Sequence, residues 1–268
     1  MSWIILLILL LIASIVVYKK KWNKSKVEWK TPRILMYHMV REHIDGAKFN
    51  KLRVKPAEFE KQIAWLKAEG FHFVTMQELQ DHWGKHPAKT VAITFDDGYL
   101  DNLENAFPVL EKYQAKATIY VVVDRHDRDW STYKKAYHNS GELAREPKLN
   151  DEQVKFLSNS GLIEIGSHTM THANLAKLDD AECLDELIKS KQSLENLIHQ
   201  PVNSFAYPFG IYAERDVSLA QQAGYTNAVT TQEGVDEQLP DFMQLKRIKI
   251  SGKDSIRVVK HRLEYGVK

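Results

Sequence analysis

The sequence predicts an α/β domain built on a parallel β-sheet, preceded by one apolar segment long enough to enter a membrane. From residue 31 onward, short apolar runs alternate with helical patterns, which is typical of βα units. The length of residues 31–268 suits one large domain, and a barrel better than an open sheet. The predicted fold class is therefore a (β/α) barrel.

The apolar segment is predicted to be a transmembrane anchor, residues 1–18. Residues 3–18 carry no charge, and as a helix they would cover roughly 24 Å of a hydrocarbon layer about 30 Å thick. Flanking lysine stems can make up part of the difference. A cleaved signal peptide would have basic residues before the run and a small-x-small site after it, and neither is present. The sequence therefore favours an uncleaved single-pass anchor.

A basic linker, residues 19–30, follows the anchor. Residues 1–30 hold six lysines and one glutamate, a net charge of +5, so the whole-chain charge of +2 leaves −3 for residues 31–268. The domain therefore has no basic field suited to nucleic acid. By the positive-inside rule, the lysines place the domain on the cytoplasmic side of the cell membrane. The single cysteine, Cys183, excludes an intrachain disulfide.

Eight apolar runs predict the strands of the sheet. In the third of them, Val91, Ile93 and Phe95 alternate with the smaller Ala92 and Thr94, as expected of a strand with two different faces. The predicted strands are residues 34–37, 71–74, 91–95, 117–123, 162–165, 204–207, 227–230 and 245–250.

Start and stop signals predict the helices between these strands. Pro56 opens the first, Thr75 and Glu78 form a capping box for the second, and Asn150 and Asp179 cap two later ones. Seven helices are predicted: one from residue 56 to 70, one that begins after 75, one through 103–110, one from 150 to near 161, one that begins at 179, one at 217–223, and an amphipathic stretch at 258–265.

Two adjacent carboxylates end the strand at residues 91–95. Neighbouring strand residues point to opposite faces, so Asp96 and Asp97 can have different roles while sharing one pocket. One can bind a metal while the other stays free as a base. The alternative is an ordinary turn, because Asp97-Gly98 is a common turn dipeptide.

A second motif, His168-x-x-x-His172, follows the strand at residues 162–165. Two histidines four apart share one face of a helical turn, which lets both imidazoles reach one metal. This spacing is common by chance. Together with Asp97, however, the pair supplies a two-His-one-carboxylate set, which leaves a coordination position open for water as catalytic zinc sites require.

Three stretches resemble known motifs: TFDDGY at 94–99, SHTMTH at 167–172 and FAYPFG at 205–210. They are similar to the first three motifs of the polysaccharide deacetylases, carbohydrate esterase family 4, and the resemblance covers residues 31–268. It implies a distorted (β/α) barrel that hydrolyses acetamido groups on N-acetylated sugars. It also implies a general base, Asp96, and a divalent metal, zinc or else cobalt or nickel, bound by Asp97, His168 and His172.

The third motif implies further site residues. The backbone N–H of Phe209 would donate a hydrogen bond to the oxyanion, and Tyr207 and Pro208 are expected to contact substrate. The loop at residues 124–148 follows a strand and is rich in charges and aromatic rings. It is either a solvated excursion or a lip at which Trp130 stacks on sugar rings.

The sequence departs from the family pattern at two places. Ala206 stands where the third motif usually carries an arginine that orients the base, and Arg247 is a candidate replacement that we also group with the substrate-binding residues. No late leucine-x-histidine motif supplies the general acid, and His261 lies in the amphipathic stretch. Residues 34–38, ILMYH, resemble that missing strand instead, as in the circularly permuted poly-β-1,6-N-acetylglucosamine deacetylases of biofilm systems. The candidate acid is therefore His38; a buried structural histidine is the alternative.

The predicted function is a metal-dependent N-deacetylase of a poly-N-acetylglucosamine-type polysaccharide. A deacetylase of a lipid-linked N-acetyl sugar is the first alternative, because the lysine cluster adjoins the anchor, and peptidoglycan and chitin come next. A non-catalytic, membrane-tethered sugar-binding module is a different class, which the presence of both carboxylates and both histidines argues against. A polymer substrate favours a domain outside the cytoplasm, against the positive-inside rule, so the side of the membrane stays open.

Overall fold

The computed structural model describes residues 25–126 and 141–267. The predicted anchor at 1–18, the first half of the linker at 19–30 and the loop residue Trp130 lie outside the described residues. Within the described ranges, no helix has the length and apolar character needed to cross a bilayer.

Seven parallel strands close into a barrel, which confirms the predicted architecture. The apolar runs are buried on both faces, as parallel strands covered by helices require. The strands of the described residues are β1 (Arg33–Tyr37), β2 (Met39–Val40), β3 (Arg53–Val54), β4 (His72–Val74), β5 (Thr90–Phe95), β6 (Ala117–Val121), β7 (Ile163–Ser167), β8 (Ser204–Ala206), β9 (Asn227–Glu233) and β10 (Leu245–Lys249).

The strand order around the barrel is β1-β10-β9-β8-β7-β6-β5, and β5 pairs back to β1. Strand β4 pairs with the first half of β5, and β6 pairs with its second half. Strands β2 and β3 form a separate pair, which no apolar run in the sequence predicts. The order places β1 between β5 and β10, so the three strands lie side by side.

The helices surround the barrel and begin where the capping signals predict. Thr75–Glu78, Asn150–Gln153 and Asp179–Glu182 all form capping boxes. The α-helices of the described residues are α1 (Pro56–Ala68), α2 (Met76–Asp81), α3 (Phe107–Tyr113), α4 (Asp151–Ser158), α5 (Asp180–Ile198), α6 (Glu214–Gln222) and α7 (Ile256–Tyr265).

The helix predicted through 103–110 is not uniform. Residues Asn102–Ala106 form a π-helical turn, in which the Phe107 N–H donates to the Asn102 carbonyl, and α3 begins only after it. Pro108 has no N–H to donate to the carbonyl of Glu104 one α-helical turn earlier, which favours this local widening.

The alternation along β5 separates two cores. Val91, Ile93 and Phe95 pack outward in the large cluster beneath the helices, whereas Ala92 lies in the cluster inside the barrel. Ile34 of β1 and Leu245 of β10 belong to that interior cluster too. Because the side-chain period of a strand is two, the residues that follow them at even spacing also point inward and reach the carboxyl end of the barrel.

Candidate metal and catalytic site

A cavity of about 350 Å³ opens at the carboxyl ends of the barrel strands. This is the end at which (β/α) barrels carry their active sites. The cavity collects side chains from the ends of five strands and from the turn after β8, so residues far apart in the chain become neighbours. The sequence-predicted residues that line it are His38, Asp96, Asp97, His168, His172, Tyr207 and Phe209.

The backbone turns sharply between the two carboxylates. Asp96 continues the pairing of β5 with β1, because its N–H donates to the Tyr37 carbonyl at 3.0 Å. Asp97 and Gly98 then adopt left-handed φ values of 79° and 67°. Aspartate tolerates this region better than most residues, and glycine adopts it freely. The turn directs the two carboxylates to different partners.

The two histidines are brought together by a loop, not by the predicted helical turn. His168 directly follows β7, and both Thr169 and His172 have left-handed φ values, 68° and 57°. Helix α5 fixes the loop, because Glu186 accepts hydrogen bonds from the Thr171 N–H at 2.9 Å and from its hydroxyl at 2.7 Å. The helical interpretation of the spacing was therefore wrong, although both imidazoles reach one place.

Asp97, His168 and His172 form a buried cluster whose potential ligand atoms lie within 4.8 Å of one another. The Asp97 Oδ1 atom is 3.3 Å from His168 Nε2 and 3.4 Å from His172 Nε2. The Ala206 carbonyl lies 2.7 Å from His168 Nδ1, so Nδ1 carries the hydrogen and Nε2 presents its lone pair to the cluster. Two imidazoles and one carboxylate are a donor set that fits zinc and similar divalent cations.

Burial and hydrogen bonding set the protonation of this cluster. Burial raises the pKa of the Asp97 carboxyl, but hydrogen bonds from both histidines outweigh it and hold the pKa well below its usual range. Burial dominates at His172 and lowers its pKa. At His168 burial also lowers the pKa, but the Asp97 hydrogen bond and the charges of Asp96 and Asp97 together outweigh burial and raise the pKa, so a proton and a cation compete for Nε2.

Arg247 of β10 forms a two-pronged ion pair with Asp96. Arg247 Nη1 lies 2.6 Å from Asp96 Oδ1, and Nη2 lies 2.7 Å from Oδ2. The guanidinium is itself held by the Thr230 carbonyl at 2.8 Å and the Thr94 hydroxyl at 3.1 Å. Arg247 on β10 thus pairs with Asp96 in place of the arginine that is absent from β8, where the residue is Ala206.

This pairing determines the charge of Asp96 and the surroundings of Arg247. Burial raises the pKa of the Asp96 carboxyl, but the charge and hydrogen bonds of Arg247 outweigh it and hold the pKa below its usual range, with smaller contributions from His38 and His168. Grouping Arg247 with the substrate-binding residues does not fit, because its side chain is fully buried and the ion pair occupies its donors.

Replacing Arg247 by methionine is expected to lower the free energy of unfolding by about 3–5 kcal/mol, because it leaves the buried Asp96 carboxylate without a partner. Denaturant unfolding measures this change. Arg257→Met, an exposed arginine of α7, is the matched control and should change it by less than about 0.5 kcal/mol. Adding Asp96→Asn to Arg247→Met should recover part of the loss. A loss below about 1 kcal/mol for Arg247→Met would contradict the buried pair.

His38 lies directly after β1 and lines the cavity beside Asp96. The register Tyr37–Phe95 between β1 and β5 makes His38 and Asp96 neighbours, and the Asn102 side chain donates to the His38 carbonyl at 2.8 Å. His261 is exposed on α7, where its ring lies 4.5 Å from that of Tyr265, and it does not line the cavity.

The turn after β8 supplies the aromatic wall. Phe209 has φ 60° and ψ −5°, and its ring centroid lies 4.3 Å from that of His172. Tyr207 stacks on Tyr212 at 4.3 Å and donates to the Met243 carbonyl at 3.0 Å. Pro208 is buried and does not line the cavity, so a direct substrate contact does not fit its position.

Several cavity residues were missed by sequence reasoning. Lys249 and Met36 follow the inward period of β10 and β1, a signal that the sequence carries once the strands are known. Thr231 likewise lies on β9, two residues after the interior Val229, and the remaining three come from connecting segments without a periodic pattern. The additional lining residues are Met36, Phe49, Leu52, Leu143, Thr231 and Lys249.

Comparisons with known proteins agree with this site. The family model "Polysaccharide deacetylase" matches residues 84–228. YxkH of Bacillus subtilis (strain 168), described as a polysaccharide deacetylase, is 34% identical over 233 residues, covering 86% of this chain and 75% of its own. The poly-β-1,6-N-acetyl-D-glucosamine N-deacetylase of Staphylococcus aureus (strain MRSA252) is 25% identical over 249 residues, covering 85% and 82%.

A solved structure extends the similarity to the fold. The crystal structure of a polysaccharide deacetylase from Bacillus cereus superposes with a TM-score of 0.73 at 30% identity, covering 87% of this chain and 69% of that one. Fold and site together define a (β/α)-barrel hydrolase. The chain belongs to the polysaccharide deacetylase family, carbohydrate esterase family 4, and it is accordingly a hydrolase of the amide bonds of acetamido sugars.

Proposed function

We propose that this protein is a divalent-metal-dependent N-deacetylase of a poly-N-acetylglucosamine-type polysaccharide. One observation carries the proposal: a single cavity holds the Asp97–His168–His172 cluster beside an Asp96 carboxylate that Arg247 keeps ionised. A ligand set for a cation and a separate, fixed base are what hydrolysis of an unactivated amide requires.

Asp97, His168 and His172 would hold the cation, with zinc as the first choice and cobalt or nickel as alternatives. When bound, a divalent cation lowers the pKa of water and polarises a carbonyl oxygen as a Lewis acid. The Ala206 carbonyl orients His168 for this role, and burial of His172 favours the neutral imidazole that a metal ligand requires.

Asp96 acts as the general base. Its lowered pKa keeps it ionised at neutral pH, and the Arg247 fork fixes the orientation of both oxygens. It accepts a proton from water as the water oxygen bonds to the acetyl carbonyl carbon. The Phe209 N–H donates to the oxyanion that forms on the carbonyl oxygen. A fixed backbone donor thus stabilises the negative charge on that oxygen.

His38 acts as the general acid. Its protonated imidazole donates to the amide nitrogen as the C–N bond breaks, because an amine is too poor a leaving group to depart as an anion. The products are acetate and a free amino sugar, and the proton on Asp96 returns to His38 to complete the cycle. The two groups flank the cavity from the neighbouring strands β5 and β1.

The substrate class rests on the relative from S. aureus, whose name specifies poly-β-1,6-N-acetyl-D-glucosamine and which shares 25% identity over 85% of this chain. The position of His38, directly after the first strand, supports the same class, because it agrees with the permuted motif order. A lipid-linked N-acetyl sugar is the second candidate.

The segment ahead of β1 bears on these two candidates. Arg33, the first residue of β1, donates to the carbonyls of Val27 at 2.8 Å, Glu28 at 2.8 Å and Leu263 at 3.0 Å, so the segment is fixed at the amino end of the barrel. The cavity opens at the opposite end, beyond His38. The described chain thus begins at the end of the barrel away from the cavity, and for a domain held by the proposed anchor this supports a polymer over a headgroup in the same membrane.

A fusion after Lys268 tests the location of the domain. Because the polymer is proposed to be modified outside the cytoplasm, we expect activity from a reporter that folds only outside the cytoplasm. A reporter that folds only in the cytoplasm should be inactive. Both fusions are made on the full chain. The reverse pattern would support the lysine-based orientation, and it would favour the lipid-linked sugar.

Acetate release from defined substrates tests the proposed function. The purified full chain, loaded with zinc, is incubated with β-1,6-linked N-acetylglucosamine oligomers, chitin oligomers, peptidoglycan fragments and a lipid-linked acetamido sugar. We expect equal amounts of acetate and free amine, and the fastest release from the β-1,6 oligomers. Asp96→Asn, which replaces the base with a similar shape, is the control. Absence of acetate from all four substrates would overturn the proposal.

A further inference from the structure

Lys249, the last residue of β10, brings a positive charge into the cavity wall. Strand β10 points Leu245, Arg247 and Lys249 toward the barrel interior at a period of two, and Lys249 is the one nearest the mouth. It pairs in register with Met36 of β1, two residues before His38, and both Met36 and Lys249 line the cavity. Lys249 therefore lines the same side of the cavity as the candidate acid His38.

The charge of Lys249 has no acidic partner among the residues that the structure describes. Asp96 is occupied by the two-pronged pair with Arg247, and Asp97 contacts the two imidazoles. Lys246, on the outward face of the same strand, differs in this respect, because its Nζ lies 3.4 Å from Asp236 Oδ1. Because neither Asp96 nor Asp97 neutralises it, the charge of Lys249 can act on a substrate bound in the cavity.

We propose that Lys249 is a specificity-determining residue that makes deacetylation of a polymer self-limiting. It repels the ammonium group of a sugar that has already lost its acetyl group, so the enzyme avoids attacking the neighbours of its own products. The inference rests on the proposed function, because it takes the substrate to be a chain of neutral acetamido sugars.

The sign of the effect follows from the reaction. Each turnover converts a neutral acetamide into a basic amine, which is protonated near neutral pH. Two unit charges about 7 Å apart, at an effective dielectric constant of roughly 40–80, disfavour binding by about three- to sevenfold. The penalty applies when an ammonium group enters the cavity beside the reacting sugar, and not when both neighbours are still acetylated. Salt screens it, because the cavity is open to solvent.

The test compares two rates within one substrate. The full chain, loaded with zinc, acts on a neutral β-1,6-linked N-acetylglucosamine pentamer, and mass spectrometry follows the species that have lost one and two acetyl groups. Fragment spectra locate the amines, and the measured quantity is the ratio of the rate constant for losing an acetyl group beside an existing amine to that for losing one between acetylated neighbours. In Lys249→Gln we expect this ratio to rise about three- to sevenfold. Raising the salt concentration should raise it in the wild type and change it little in the variant.

Two further variants make the result specific. Lys249→Arg keeps the charge and should retain the low ratio of the wild type. Lys246→Gln removes the same charge from the outward face of β10 and should also leave the ratio unchanged. If acetate is released but Lys249→Gln has the wild-type ratio, the inference is overturned and the proposed function stands. If the wild type releases no acetate from the pentamer, the proposed substrate fails, and the inference fails with it.

Discussion

Replacing His168 by alanine is expected to remove the bound divalent metal and to lower the rate of acetate release by roughly 10³-fold or more. The cluster has three potential protein ligands, so the loss of one imidazole leaves an incomplete set, and a catalytic metal contributes several kcal/mol of transition-state stabilisation. His172→Ala and Asp97→Ala should have the same two effects. Elemental analysis of the purified full chain, together with acetate release, measures both.

The control for these variants is His261→Ala. His261 is exposed on α7 and lies outside the cavity, so the variant should retain its metal and its rate. A His168→Ala protein that keeps the full metal content and turns over at the wild-type rate would show that the cluster is not a catalytic metal centre.

Replacing His38 by alanine is expected to lower kcat by roughly 10²–10⁴-fold, the usual contribution of a positioned acid. Metal content and folding should stay close to wild type, because His38 is not part of the Asp97–His168–His172 cluster. An ester substrate should lose less rate than an amide, since an alkoxide departs with less need for a proton than an amine nitrogen does. The rates on both substrates, with metal analysis, separate loss of the acid from loss of the cation.

His261→Ala again provides the comparison, because His261 is the only histidine near the C-terminus where the family's usual motif order would place the acid. It should have little effect on either substrate. If His261→Ala lost activity while His38→Ala kept it, the motif order would not be permuted, and the proposed polysaccharide class would lose the support that it has from His38.

Much of the barrel could be predicted from the sequence, because local signals specify it. The alternation in residues 91–95 separates the outward Val91 and Phe95 from the inward Ala92, and the structure buries these residues in two different clusters. The capping box at Thr75 marks a helix start within one residue. The paired carboxylates at the end of β5 indicated a site because parallel strands present their carboxyl ends at one face.

The contacts within the site required the three-dimensional arrangement. Inward periodicity indicates that Arg247 lies inside the barrel, but its partner Asp96 is 151 positions away and becomes a neighbour only through the order β5-β1-β10. The loop between His168 and His172 depends on left-handed residues such as Thr169, which the sequence pattern does not mark. The sequence also does not show that Lys249 lacks an acidic partner, because the pairing of Asp96 with Arg247 and of Asp97 with the histidines depends on the fold.

A zinc titration of the metal-depleted full chain tests the central claim most directly. Acetate release from the β-1,6-linked oligomer is followed as zinc is added back after chelation. The Asp97–His168–His172 cluster predicts no measurable rate without metal, a rise to a plateau at about one equivalent per chain, and no rise in His168→Ala. A metal-depleted enzyme that releases acetate at the full rate would contradict the metal-dependent mechanism.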